Sequence, residues 1–483
     1  MQGKHFIALA IPFLLAACTS MAPTYERPAA PVPASWPSGS AYAPQAESQR
    51  TAADTPWRSF ILDDKLRQVI EQALTNSRDL RQTIASIESA RAQYRVQRAA
   101  LLPTVDAGVN GSRARSLGSS SDGSSTTMRT QSYSAEVSLS SYELDLFGRV
   151  RSLSDAALET YLATEEASRA TRISLIAETA SAWLTLAADR NRLAIAQRTL
   201  DSAQRSMTLT QKRLEAGVTS RVDVRQAETV YQQARADVAS YTTAIAQDRN
   251  ALDLLAGSPI DDALLPDDLP EGGRWLTDVP AGLSSDVLLR RPDVLQAEHQ
   301  LKSANANIGA ARAAFFPSLT LTASGGVASA ALSSLFSGGA TIWSLAPALS
   351  LPIFDGGANR ASLAYSEAQR NLYLSAYELA VQTAFKEVAD ALARRGTMQE
   401  QLAAQVALVA AATDSYQLAN ARYTKGVDTF LNALDSQRTL YSAEQSLVSA
   451  KLTALDNQVT LYRVLGGGLG DGDGDGESLP SPR

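Results

Sequence analysis

Few residues in this 483-residue chain have the types and spacing to do chemistry. Cys18 is the one thiol, and it falls in the N-terminal segment together with His5. The other histidine, His299, sits within a helical pattern, where a surface or helix-packing role outweighs that of a base. No Cys/His cluster offers a metal site. Gly466-Gly-Gly468 lacks a following Lys-Ser/Thr and opens no helix, so it cannot cradle a phosphate. Asp471, Asp473 and Asp475 alternate with Gly but lack the spacing and the position-12 Glu of a calcium loop, and read as a solvated tail. The expectation is a chain with no catalytic residue, no metal and no cofactor beyond covalent lipid: not an enzyme. The most suggestive charged pair is Asp435 and Arg438, which share an i, i+4, i+7 helix stripe with Leu431. Their chemistry is ionic contact rather than bond making.

The net charge is −6, and no basic cluster is interleaved with aromatics, which argues against a nucleic-acid partner. Lys4 supplies a positive n-region and Phe6–Leu15 an apolar h-region. That run is too short for a bilayer, which takes about 20 apolar residues. It ends in Leu15-Ala16-Ala17-Cys18, which resembles a bacterial lipobox. The resemblance implies cleavage before Cys18, a diacylglycerol on its thiol and an acyl group on the new amine. Three chains anchor far more firmly than one. Thr19, where an Asp would redirect the lipoprotein, points to the outer membrane. Residues 1–17 are thus expected to be a signal peptide and 18–60 a lipidated Pro/Ala-rich linker. Its stretch 22–56 reads as extended and unable to bury a core. Residues 467–483 read as a disordered acidic tail.

The elements between these ends are written twice. Residues 79–103 match 293–317 without a gap, through Asp79/Asp293, Gln82/Gln296, Arg98/Arg312 and Pro103/Pro317. Arg213-x-x-x-Gly217-Val218 likewise matches Arg422-x-x-x-Gly426-Val427. Residues 149–216 contain no Gly and no Pro, and 358–425 only Gly396. As helices these runs would each be roughly 100 Å long at 1.5 Å per residue, against about three turns for an average helix. A Gly-Val pair ends each run, and return segments 218–256 and 427–465 follow. Gly there permits the left-handed turn that reverses a helix.

Two strand pairs precede the long runs. Val105, Ala107 and Val109 alternate with polar residues, as do Tyr133, Ala135, Val137 and Leu139. Leu319, Leu321 and Ala323 do the same, and Trp343, Leu345, Leu349, Leu351 and Ile353 alternate with smaller residues. Period two with one apolar face predicts half-buried strands. Four strands cannot close a membrane barrel, which takes about eight at least. Open edges are not tolerated in lipid. Either the hairpins lie outside the membrane or several chains share one barrel.

Taken in order, Trp57-Arg-Ser-Phe60, Tyr142-Glu-Leu-Asp-Leu-Phe-Gly148, Arg290-Arg-Pro-Asp293, Phe316-Pro-Ser318, Leu351-Pro-Ile-Phe-Asp-Gly-Gly357, Tyr423-x-x-Gly426-Val427 and Leu434-Asp-Ser-Gln-Arg438 resemble a TolC-family outer membrane factor, of the lipoprotein branch that serves tripartite efflux pumps. The resemblance implies a mainly α fold with membrane β. A homotrimer would form a 12-stranded outer-membrane barrel continued by a long α-helical, coiled-coil periplasmic barrel. Repeat 1 would span 61–258, with hairpin 103–147 and long helices 149–256. Repeat 2 would span 259–466, with an equatorial segment, helix 286–316, hairpin 317–355 and long helices 358–465. Residues 257–285 and segments near both termini would form an equatorial collar. The implied partners are a periplasmic adaptor and an inner-membrane RND-type transporter. The adaptor would dock on the turns at Arg213, Gly217, Val218, Arg422, Gly426 and Val427. The implied gate is an apolar ring from Leu431 with charge contacts by Asp435 and Arg438. The first repeat carries Val222, Gln226 and Thr229 at the matching positions, so an ionic lock would not be sixfold. The implied function is a passive exit duct for drugs and other small molecules. A protein-secretion duct of type I and a non-pore coiled-coil lipoprotein are the competing readings.

Overall fold

The computed structural model describes residues 20–42, 55–119, 125–269, 275–278 and 284–468. The expected signal peptide, Cys18 and the tail beyond 468 lie outside the described residues. The chain divides into two compact units. One comprises residues 1–29, 87–164 and 296–377, the other 30–86, 165–295 and 378–483. The regular elements in order are α1 (Asp64–Asn76), α2 (Arg78–Ala99), β1 (Val105–Ser119), β2 (Ser125–Leu144), α3 (Arg149–Glu215), α4 (Arg221–Ala256), α5 (Pro292–Ala313), β3 (Ser318–Ser329), β4 (Thr341–Ser350), α6 (Ala358–Thr424) and α7 (Phe430–Val464). α3 and α6 are each 67 residues long, and α6 runs through Gly396 unbroken.

In place of one helix over 286–316, a 3₁₀ helix covers Ser285–Arg290 and α5 begins at Pro292. Arg291 between them is extended at φ −68°, ψ 136°. A residue before proline is pushed out of the helical region, and proline suits the first helical position.

The first unit holds one antiparallel sheet in the order β1-β2-β3-β4, so the hairpins of the two repeats join edge to edge. Registered residues carry an apolar stripe across it: Val105, Leu139, Ala323 and Leu345 form one row, and Ala107, Val137, Gly325 and Trp343 the next. The opposite face carries Asp106, Ser138, Ser324 and Ser344 in one row. Ser141 sits at φ 50°, where the β2–β3 register slips between Leu139 and Tyr142. That bulge inserts one residue and flips the pleat. Tyr142 and Leu144 thereby pair with Leu321 and Leu319 and stay on the apolar side. The strand-to-helix junctions are capped by aspartates within the repeated motifs. Asp145 accepts from the Arg151 amide at 2.8 Å, and Asp355 accepts from the amides of Gly357 and Asn359 at 2.9 and 2.8 Å.

In the second unit, the segments around residue 60, residue 276 and the C-terminal helix come together. Phe60 stacks on Tyr462 with centroids 4.1 Å apart, and Ile61 bridges Leu276. The Pro/Ala-rich linker differs from its reading. It is extended, but Trp36 is buried and stacks on Phe385 at 5.3 Å, and Ser35 bridges Ser284. A large aromatic ring repays ordering even in a proline-rich segment.

Arg291 of the Arg-Arg-Pro-Asp motif is buried. It donates to Asp293 and Glu387 at 2.6 and 2.9 Å and to the Val464 carbonyl at 2.9 Å. It ties the entry of α5 to α6 and satisfies a carbonyl in the last turn of α7, where a cation is favoured.

Candidate functional site

Both helix reversals are built the same way. The Val218 amide donates to the Arg213 carbonyl and the Gly217 amide to the Leu214 carbonyl, each at 2.9 Å. The Val427 and Gly426 amides repeat the pattern to Arg422 and Tyr423 at 2.9 and 3.0 Å. These are Schellman caps, which place one residue in the left-handed region. Gly217 and Gly426 occupy it, at φ 71° and 74°. Such a cap commonly packs its next residue back onto the helix. Here Val218 and Val427 are instead 71% and 65% exposed, and Val222 and Leu431 one turn on are also exposed.

The two turns differ in what holds them. Ser220 and Asp223 form a capping box on α4 with bonds of 3.2 and 3.0 Å. The Thr219 hydroxyl, together with Ser220, holds the Asp223 carboxyl below the ordinary range. In the second turn Asp428 accepts from the Thr429 amide, Asn432 and Arg422 at 2.8, 2.7 and 3.1 Å. These contacts hold its carboxyl low as well. Arg422 is thus spent within its own turn.

Arg213, its repeat equivalent, reaches across instead. It donates to the carbonyls of Tyr423 and Thr424 at 3.3 Å, and its guanidinium lies 4.3 Å from the centre of the Tyr423 ring. Tyr423, Phe430, Leu434, Ala203 and Val230 form a small buried core beneath. The structure therefore brings the two turns together, with Tyr423 as the pivot. The sequence motif Tyr423-x-x-Gly426 marks that ring but gives no sign of its partner.

On α7, Leu431, Asp435 and Arg438 are exposed along one stripe, while Ala433, Leu434 and Gln437 are buried on another. Asp435 and Arg438 do not pair with each other. Arg438 donates to the Thr229 hydroxyl on α4 at 3.1 Å. Further along, Tyr441 donates to Asp237 at 2.8 Å and Tyr241 to Gln445 at 3.1 Å, pinning the same two helices.

A group that sequence reading did not single out lies beside them. Asp189 is buried and bonds Arg192 at 2.7 Å, and Arg192 also reaches Ser449 at 2.9 Å. Asp248 Oδ2 is buried with no donor facing it. Burial, and then the neighbouring Asp189 carboxylate, push the Asp248 carboxyl up to about 6 against the pull of Arg192. His299, the remaining candidate base, bonds Glu159 at 2.6 Å. That is a helix-packing contact.

No described helix is long and apolar enough to cross a membrane. The apolar face of the sheet, by contrast, leaves Val109, Trp343 and Leu349 exposed in the single chain. Among curated proteins, the probable efflux pump outer membrane protein TtgC of Pseudomonas putida is 47% identical over 466 residues, 96% of each chain. Among solved structures, a membrane protein from Pseudomonas aeruginosa superposes at TM-score 0.85 with 45% identity, over 93% of this chain and 98% of that one. The open state of the Neisseria gonorrhoeae MtrE outer membrane channel matches at TM-score 0.83 with 40% identity, over 93% and 99%. The profile of the outer membrane efflux protein family matches residues 69–258 and 283–467, and this chain belongs to that family.

Proposed function

We propose that three copies of this chain form the outer-membrane exit duct of a tripartite efflux pump, passive in itself and driven by an inner-membrane RND-type transporter through a periplasmic adaptor. The observation that carries this reading is the sheet. Its apolar face is continuous over four strands, its other face is polar, and β1 and β4 are unpaired edges. Lipid would cover the apolar face, and only edge pairing between copies removes the unpaired backbone groups. Three sheets of four strands give a twelve-stranded barrel, within the bacterial range.

The exposed valines of the two turns are the docking points for the adaptor, and the Leu431–Asp435–Arg438 stripe narrows the entrance. A wide duct needs no cargo site. Cys18 is the acylation site. Ser20 bonds Ser152 near the start of α3 at 3.2 Å, eight residues beyond the end of β2.

The test is conductance in planar bilayers with the purified, lipidated protein. Discrete channel steps are expected. A protein that inserts without conducting would instead be a structural rod.

A further inference from the structure

The residues that follow the acylation site lie along one stripe of α5. Ala22 sits over Gly309, where a Cβ would come within 2.6 Å of the Ala22 amide nitrogen. Asn305 donates to the Pro23 carbonyl at 2.7 Å. The Tyr25 hydroxyl donates to Glu298 at 3.2 Å, and Arg27 donates to both Glu298 oxygens at 3.1 and 2.7 Å. Glu298, Lys302, Asn305 and Gly309 recur every three or four residues and therefore share one helix face. The segment runs antiparallel to the helix, from residue 22 at Gly309 to residue 27 at Glu298.

Glu298 is the centre of the contact. Its side chain is 3% exposed and also bonds Lys302 at 3.2 Å. Burial opposes its ionisation, but Arg27 and Lys302 prevail and hold its carboxyl below the ordinary range. The Lys302 ammonium lies 5.4 Å from the centre of the Tyr25 ring. Tyr377 of α6 is fully buried beside this group, and its hydroxyl has no hydrogen-bond partner. A buried charge that loses its partners is strongly destabilising, because the charge remains desolvated.

We propose that the Glu298–Lys302–Asn305–Gly309 stripe is a binding site for the chain's own Tyr-x-Arg strap, and that strap occupancy, rather than the acyl group, stabilises the unit carrying the sheet. Arg27 is then the counter-charge of a buried carboxylate, and Gly309 is the position that lets the backbone approach. The claim is independent of the channel reading, since every contact lies within one unit.

A charge cycle on the full-length protein in detergent tests it, read by thermal melting and by chymotrypsin cleavage after Tyr25. Arg27→Ala should lower the melting temperature and speed cleavage by about tenfold or more, as loss of charge-assisted bonds requires. Adding Glu298→Gln should restore part of the melting temperature, because the buried carboxylate that had lost one of its two cations is gone, while cleavage stays fast. Cys18→Ala should melt and resist cleavage like the wild type. The proposal is overturned if Arg27→Ala behaves as the wild type, if the two charge substitutions simply add, or if Cys18→Ala is cleaved as fast as Arg27→Ala. Should Cys18→Ala fail to accumulate, the charge cycle in the lipidated protein decides alone.

Discussion

Arg438 donates from Nη2 to the hydroxyl of Thr229 at 3.1 Å, and Thr229 holds in the first repeat the place that Arg438 holds in the second. The contact joins the two return helices within one chain. An ionic partner for Arg438 on its own helix is thus replaced by a neutral acceptor on the neighbouring one.

Arg438→Ala and Thr229→Val should therefore have the same effect, and the double variant should add little to either. An exposed contact of this kind is worth about 0.5–1 kcal/mol, or roughly a two- to fivefold shift towards the open entrance. Open probability in planar bilayers checks it. If only Arg438→Ala raises conductance, the charge acts on another partner; if neither does, the constriction comes from Leu431 or from helix packing.

The carboxyl pair at Asp189 and Asp248 predicts a pH dependence. Burial and then Asp189 raise the folded Asp248 pKa to about 6, above the ordinary carboxylate range of about 4. The folded state therefore holds the proton more tightly than the unfolded one. Its contribution is complete below about pH 4, falls as pH rises towards 6, and is absent above. Asp248→Asn can donate an amide hydrogen to Asp189 at every pH. Melting curves should show the variant gaining on the wild type between pH 4 and 7. Parallel profiles would mean the two carboxylates do not share a proton.

Arg291 should be among the most sensitive single positions. Breaking a buried ion pair from one side costs about 3–5 kcal/mol. Arg291→Ala should lower the melting temperature sharply. Arg291→Lys should recover only part of the loss, since a single ammonium cannot reproduce the fork that serves Asp293, Glu387 and the Val464 carbonyl together. A melting temperature unchanged in Arg291→Ala would contradict this.

What could be read before folding was periodicity and punctuation. The Gly- and Pro-free runs 149–216 and 358–425 coincide with helices Arg149–Glu215 and Ala358–Thr424, because a long run without breakers leaves the backbone no reason to stop. The strand alternation was legible as far as Leu139. It failed at Ser140 and Ser141, because a bulge shifts the face and local pattern carries no record of it. The long-range contacts were not legible at all. Arg27 and Glu298 lie 271 residues apart, and Arg213 and Tyr423 lie 210 apart, so only folding brings them together. The two Arg-x-x-x-Gly-Val motifs look equivalent, yet Asp428 captures Arg422 while Arg213 is left to cross to Tyr423. The first turn has Thr219 where the second has Asp428, and Leu214 where the second has Tyr423, and these differences separate the roles of the two arginines.

If the adaptor docks on Val218 and Val427, exposed at the two turns, docking is separable from folding. Val218→Asp with Val427→Asp should leave trimers and membrane insertion intact, because neither side chain packs on the core. Drug resistance conferred by the assembled pump should nonetheless be lost, since a charge at the centre of an apolar contact is left desolvated and unpaired. Full resistance in the double variant would show that the adaptor seats elsewhere.

On the proposed reading, the sheet is one third of a barrel closed by other copies of the same chain. Native mass spectrometry of the protein extracted from outer membranes in mild detergent tests it directly. A species of three times the lipidated chain mass and no stable monomer are expected. A membrane-inserted monomer, or a stable dimer, would leave the edges of β1 and β4 unpaired and contradict the architecture.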